Sequence, residues 1–216
     1  GTTGLVSQSL GRGDYREIVL TTLRNLSIAI IVGFIILFLK IPIFSSINFF
    51  FVISDESLKL YRCIYLSLKL INEYLSVRLF SAPAELAIYV LVGLYIGIQK
   101  TKISSLIITI FSILNIFLSI YFVKFLGLDI LGVALGTTLS ALITIILSLI
   151  FTYYFIKREF NIIPRYKKIF IRKKIIKLFN INFDIFIRTV LLTFAFLWFT
   201  YQSSKIGEDY LAVNAI

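Results

Sequence analysis

Five polar residues, Ser105, Thr109, Ser112, Asn115 and Ser119, follow one another at steps of four, three, three and four inside an otherwise apolar run. Such spacing puts all five on one face of a helix, since positions three and four apart align along a 3.6-residue period. Serine and threonine hydroxyls can bond their own helix backbone whereas the Asn115 amide cannot, so the stripe predicts a lined cavity or a helix contact. It offers oxygen atoms and no titrating group, because a serine hydroxyl does not ionise near neutral pH.

Carboxylates in apolar surroundings are few. Glu85 lies just beyond Pro83, whose missing N–H and ring are expected to kink the helix and free a carbonyl. A carboxylate there is expensive enough to be a functional candidate, and no partner is evident for it, Arg78 lying two turns earlier. Asp184 and Arg188 are spaced i, i+4 at the start of the last apolar run and are predicted to pair as a structural element. A stricter period, Gly132, Gly136, Ser140, Thr144 and Ser148, predicts a ridge of small residues for close helix packing.

Several chemistries are excluded by composition. The chain has no histidine, which removes Ser-His-Asp relays, H-E-x-x-H zinc helices and imidazole proton shuttles. Its single cysteine, Cys63, reads as a small apolar filler, with no intrachain disulfide possible and no metal site expected. No phosphate-binding G-x-x-x-x-G-K-[ST] loop occurs, and the chain is not expected to be an enzyme. Arg12-Gly13-Asp14 reads as an ordinary turn.

The elements that must position these residues are membrane spans. Hydrophobic residues make up 59% of the 216 and charged residues 15%, with a mean hydropathy of +0.96, outside the range of soluble globular domains. Apolar runs at 23–44, 74–99, 103–126, 130–156 and 181–202 are each about 20 residues or longer, enough to cross a hydrocarbon layer about 30 Å thick. They predict an all-α, multi-pass membrane protein with five spans.

Most of the net charge of +11 falls on one side of that zigzag: Arg12, Arg16 and Arg24, then Lys100 and Lys102, then the cluster from Lys157 to Lys177. The positive-inside bias assigns these turns to the cytoplasm. Within the cluster, Ile169, Phe170, Ile175, Ile176 and Phe179 alternate with the cations, which predicts an interfacial helix after Pro164 on anionic lipid. Membrane lipid, and no nucleic acid, is therefore the expected partner of the basic stretch. On the outer side, 48–54 is too short to span and is read, with an amphipathic lead-in helix at 58–71, as a periplasmic loop.

Four stretches, "GTTGLVSQSLGRGD", "YLSVRLFSAPAELAIYVLVGLYIGIQ", "LGVALGTTLSA" and "NFDIFIRTVLLTFAF", occur in an order and separation that resemble the multidrug and toxic compound extrusion (MATE) family, in its DinF-like bacterial branch. The resemblance covers essentially the whole chain. It implies twelve helices in two six-helix lobes, of which residues 1–156 supply the first-lobe bundle from the end of family helix two through helix six. Residues 157–180 become the basic cytoplasmic connection between lobes, and 181–216 begin the second lobe with helix seven and the start of helix eight. The first helix, most of the second and nearly all of the second lobe are then expected to be partners outside this sequence.

Function follows from the same resemblance: a multi-pass protein of the bacterial inner (plasma) membrane exporting a small-molecule drug or organic cation, cationic or amphipathic, in exchange for H+ or Na+, with no cofactor. Family ligands for the coupling ion in the first lobe resemble an Asp on helix one, an Asn and an Asp one turn apart on helix five, and a Thr on helix six. Asn115 matches the Asn, Thr137 the Thr, and Ser119 occupies the second Asp position. Tyr89 matches a position facing the lobe interior, and Glu85 stands as a possible substitute carboxylate. A lipid-linked saccharide flippase of the same superfamily and a degraded, non-transporting remnant are the competing readings.

Overall fold

A computed structural model describes residues 1–40, 69–160 and 171–206. All regular structure among them is helical, as the apolar runs require: a backbone in hydrocarbon must satisfy its own polar groups, and a helix does so within one segment. Helix α1 (Thr2–Gly11) turns into α2 (Tyr15–Phe38) through the Arg12-Gly13-Asp14 triplet. The Asp14 carboxylate accepts the Glu17 backbone N–H at 2.9 Å, so this residue is the N-cap of α2. Helical residues 69–78 and a 3-10 turn at Leu79–Ser81 lead into α3 (Ala82–Gly97); α4 (Thr101–Lys124) and α5 (Asp129–Glu159) follow.

Helix α3 is the core of this unit. Its ten buried residues, including Ala87, Leu91, Leu94 and Tyr95, lie around most of its circumference, with α1, α2, α4 and α5 packed against it. Val6, Ile18, Ile107, Ala141 and Ile145 close over it from those four neighbours. Hydrocarbon solvates leucine as well as a protein interior does, so close packing and interhelical hydrogen bonds must specify such contacts. Both occur: Tyr95 Oη and Thr152 Oγ1 share a hydrogen bond of 2.9 Å, and the Ser7 hydroxyl donates to the Gly97 carbonyl at 3.2 Å.

The final helix, α6 (Arg172–Ile206), belongs to a second compact unit. It corrects the expected interfacial helix: the cations from Arg172 to Lys177 form the first turns of one continuous 35-residue helix that also contains the span. Helix α5 likewise runs on to Glu159, so the expected 157–180 connection is helical at both described ends. Five described helices are long and apolar enough to cross a membrane: Tyr15–Phe38, Lys69–Gly97, Thr101–Lys124, Asp129–Glu159 and Arg172–Thr200. Pro164, Cys63, the 48–54 stretch and most of the 58–71 lead-in lie outside the described residues.

Candidate functional site

Helices α4 and α5 meet along the small-residue ridge. A Cβ on Gly132 would come within 3.1 Å of the Phe122 backbone, and one on Gly136 would lie 2.6–2.9 Å from Ser119 Oγ, N and Cα, so the helices touch backbone to backbone. Ser140, Thr144 and Ser148 continue the ridge as buried residues, and it extends one turn further to Thr152, the partner of Tyr95.

That close approach assembles a polar cluster. Asn115 Oδ1 accepts a hydrogen bond from the Ser119 hydroxyl at 3.0 Å and another, at 3.4 Å, from the Thr137 hydroxyl across the interface. Thr137 also donates to the Val133 carbonyl at 2.9 Å. Thr137 is buried, while Asn115 and Ser119 are half-buried at the edge of the contact. The polar stripe on α4 divides here: its lower pair packs on α5, whereas Ser105, Thr109 and Ser112 stay exposed. Chemically the cluster is a group of neutral oxygens. A hard cation of modest charge density suits such a donor set, provided the two hydroxyls rotate to turn lone pairs inward.

Glu85 has a partner after all, which corrects the reading of it as unpaired. Arg78 Nη1 donates to both Glu85 Oε1 and Ser81 Oγ, and Nη2 reaches Glu85 Oε2 at 3.1 Å, a two-pronged ion pair. The pair spans the 3-10 turn at Leu79–Ser81, so the interruption begins ahead of Pro83, which itself sits in the first turn of α3. Gly33 of α2 presses on this point, where an added Cβ would be 2.4 Å from Pro83 Cα. Thr138 of α5 donates to the Val77 carbonyl at 3.2 Å, taking up an acceptor next to the interruption. A second pair with the same seven-residue spacing, Glu17–Arg24 at 2.8 Å, lies in α2 with Arg24 only 2% exposed. Seven residues are two helical turns, within reach of an arginine stem, and that is the signal by which both pairs could have been found in the sequence.

Tyr89 is 68% exposed on α3 and takes no part in the Asn115 hydrogen bonds; the last helix departs from expectation. Asp184 and Arg188 do not form the expected ion pair. Both stand exposed on α6, and an i, i+4 pair in the open gains only about 0.3–0.5 kcal/mol, too little to hold two side chains in one geometry. Among the described residues, no group of three His, Cys, Asp or Glu side chains converges as a metal site would require.

Comparison with known proteins places this bundle. Residues 1–121, more than half of the chain, match the family model MatE. The chain belongs to the MatE family. Over 215 residues it is 29% identical to the DNA damage-inducible protein F of Escherichia coli (strain K12), a match that takes in 100% of this chain and 44% of that protein. This MatE chain thus spans less than half the length of the curated relative it matches. Its fold is also that of a solved structure described as the outward-facing conformation of a multidrug resistance MATE family transporter of the MOP superfamily. The TM-score is 0.64 at 22% identity, covering 82% of this chain and 36% of the other. This MatE chain is a multi-pass membrane protein.

Proposed function

We propose that the chain forms most of the first lobe, and the opening helix of the second, of a secondary-active exporter in a bacterial inner membrane. The substrate class is a cationic or amphipathic small molecule, and export is driven by an inward cation gradient. The Asn115–Ser119–Thr137 cluster is the site that holds the coupling ion.

One observation carries this reading: two hydroxyls from different helices converge on one amide oxygen at the α4–α5 contact. The cluster itself contains no carboxylate, so it can coordinate Na+ through oxygens but cannot store a proton. Na+ is therefore favoured over H+ at this position. An ion bound between α4 and α5 would draw the two helices together, and its release would let them separate, which is a differential interaction of the kind that shifts a two-state equilibrium.

The test is ethidium export from cells expressing a complete two-lobe protein that carries these residues, with the Na+ gradient and the pH gradient imposed separately. Export that follows Na+ and is lost in Asn115→Ala and Thr137→Ala is expected. Export that follows the pH gradient alone and survives both substitutions would sink the assignment.

A further inference from the structure

Beyond Gly136 the small-residue ridge of α5 changes character: Thr137, Ser140, Thr144, Ser148 and Thr152 carry hydroxyls along it at steps of three, four, four and four. All five are buried, Thr144 to 1% exposure, and they extend about 22 Å along the axis. The line begins at the Asn115 cluster, where Thr137 donates to Asn115 Oδ1, and ends where Thr152 shares its hydrogen bond with Tyr95 Oη. Tyr95 in turn adjoins the α3–α4 turn, its carbonyl accepting the Lys100 N–H at 2.8 Å.

Close packing alone does not account for this line. In a dry contact a hydroxyl bonds its own helix, as Thr22, Ser27 and Thr138 do by donating to the carbonyl four residues earlier and Ser140 by donating to one three earlier. Thr144 Oγ1 forgoes that bond and has no hydrogen-bond partner among the described residues. A hydroxyl shut away from water in this state costs stability. Side chains four apart on a helix stand about 5–6 Å from each other, too far for hydroxyls to touch. Two hydrogen bonds through one water span about 5.5 Å, so water between Ser140 and Thr144, or between Thr144 and Ser148, fits the step and satisfies Thr144.

We infer that this face of α5 is a hydrated release route for a small monovalent cation, which leaves the Asn115 cluster along the hydroxyls of Ser140, Thr144 and Ser148 and the waters between them. Oxygen ligands of this kind replace part of the hydration shell of a hard cation, which hydrocarbon cannot do. The Tyr95–Thr152 hydrogen bond closes the far end, so the route is entered from the half-buried Asn115 side. Its use by the coupling ion rests on the proposed function; the hydration of the line does not.

Silver ion is the probe, a small monovalent cation that binds thiolate. The sequence has no methionine or histidine, so in a Cys63→Ala background an introduced cysteine is the one soft ligand for it. The full chain, purified in chloride-free detergent, would be exposed to Ag+ and its remaining thiol counted after unfolding. Thr144→Cys and Ser148→Cys should lose their thiol, whereas Ala141→Cys and Ala87→Cys, equally buried in the apolar core, should keep theirs. Thr144→Val, which removes the hydroxyl, should lower the thermal midpoint by roughly 2–4 °C, the shift of one lost hydrogen bond in a chain of this size. A dry contact would instead gain stability from that change. Retention of the thiol by either hydroxyl-line variant, its loss from the core variants as well, or a midpoint unchanged or raised in Thr144→Val would overturn the route. Export is read separately: a silver-reactive line with export indifferent to Na+ would remove the coupling ion and keep the route, and Na+-driven export with a silver-resistant line would remove the route alone.

Discussion

Gly136 and Ser119 hold α4 and α5 at backbone contact: a Cβ at position 136 would stand 2.7 Å from the Ser119 amide nitrogen. A rigid backbone neighbour cannot give way, so Gly136→Ala should force the helices apart and destabilise the bundle by about 1–3 kcal/mol. Gly132→Ala, where the nearest backbone atom is 3.1 Å away, should be milder. Thermal unfolding of the two variants in detergent checks the order, and equal midpoints would contradict it.

A carboxylate placed at position 119 tests the chemistry of the cluster. In Ser119→Asp the new group would sit half-buried beside Asn115, where desolvation disfavours its ionised form and raises its pKa toward neutrality. It would bind a proton below that raised value and release it above. Export by a complete two-lobe protein carrying Ser119→Asp should therefore gain a response to an imposed pH gradient that the parent lacks. An unchanged response would show that position 119 is not in the coupling path.

The Arg78–Glu85 pair makes a different kind of prediction. Removing either partner leaves the other charge within a span, so Arg78→Ala or Glu85→Ala should each lower stability by about 1–3 kcal/mol, reduced from the fully buried case because both groups are partly exposed. The double variant should lie closer to the parent than either single one. Additive losses in this double-mutant cycle would mean that the two charges do not interact. Glu85→Gln should leave ion coupling intact, since a carboxylate engaged by a guanidinium is poorly placed to carry a transported proton.

Much of this architecture was legible because it depends on periodicity. Five apolar runs gave five spans, and the four-residue period from Gly132 placed the α5 ridge before any contact was known. The Arg78–Glu85 pair was not legible although its two-turn spacing was, because the 3-10 turn and Pro83 between the two residues leave open whether they share one helix face. The continuity of α6 was hidden because mixed cations and isoleucines read equally well as a helix lying on a membrane and as one entering it. Tyr89 occupies the one open side of a nearly enclosed helix, a position that a matching residue type does not reveal.

Orientation is testable at two described turns. In a Cys63→Ala background, Phe125→Cys, 78% exposed between α4 and α5, should react with an impermeant maleimide in intact cells. Lys100→Cys, between α3 and α4, should react only after the membrane is opened. The reverse pattern would invert the assigned topology.

The Glu17–Arg24 pair has a consequence for biogenesis. An isolated Arg costs about 2.5–3.5 kcal/mol at the centre of a nascent span on translocon-based scales and less toward the end, where Glu17 and Arg24 sit in α2. Because Glu17 and Arg24 lie on the same helix, their 2.8 Å contact needs no other helix to form and can exist as soon as α2 coils. The span can then enter the lipid with its charges already matched, before α1 or α3 is in place to bury them. The order of assembly is thereby relaxed: α2 does not have to wait for its neighbours.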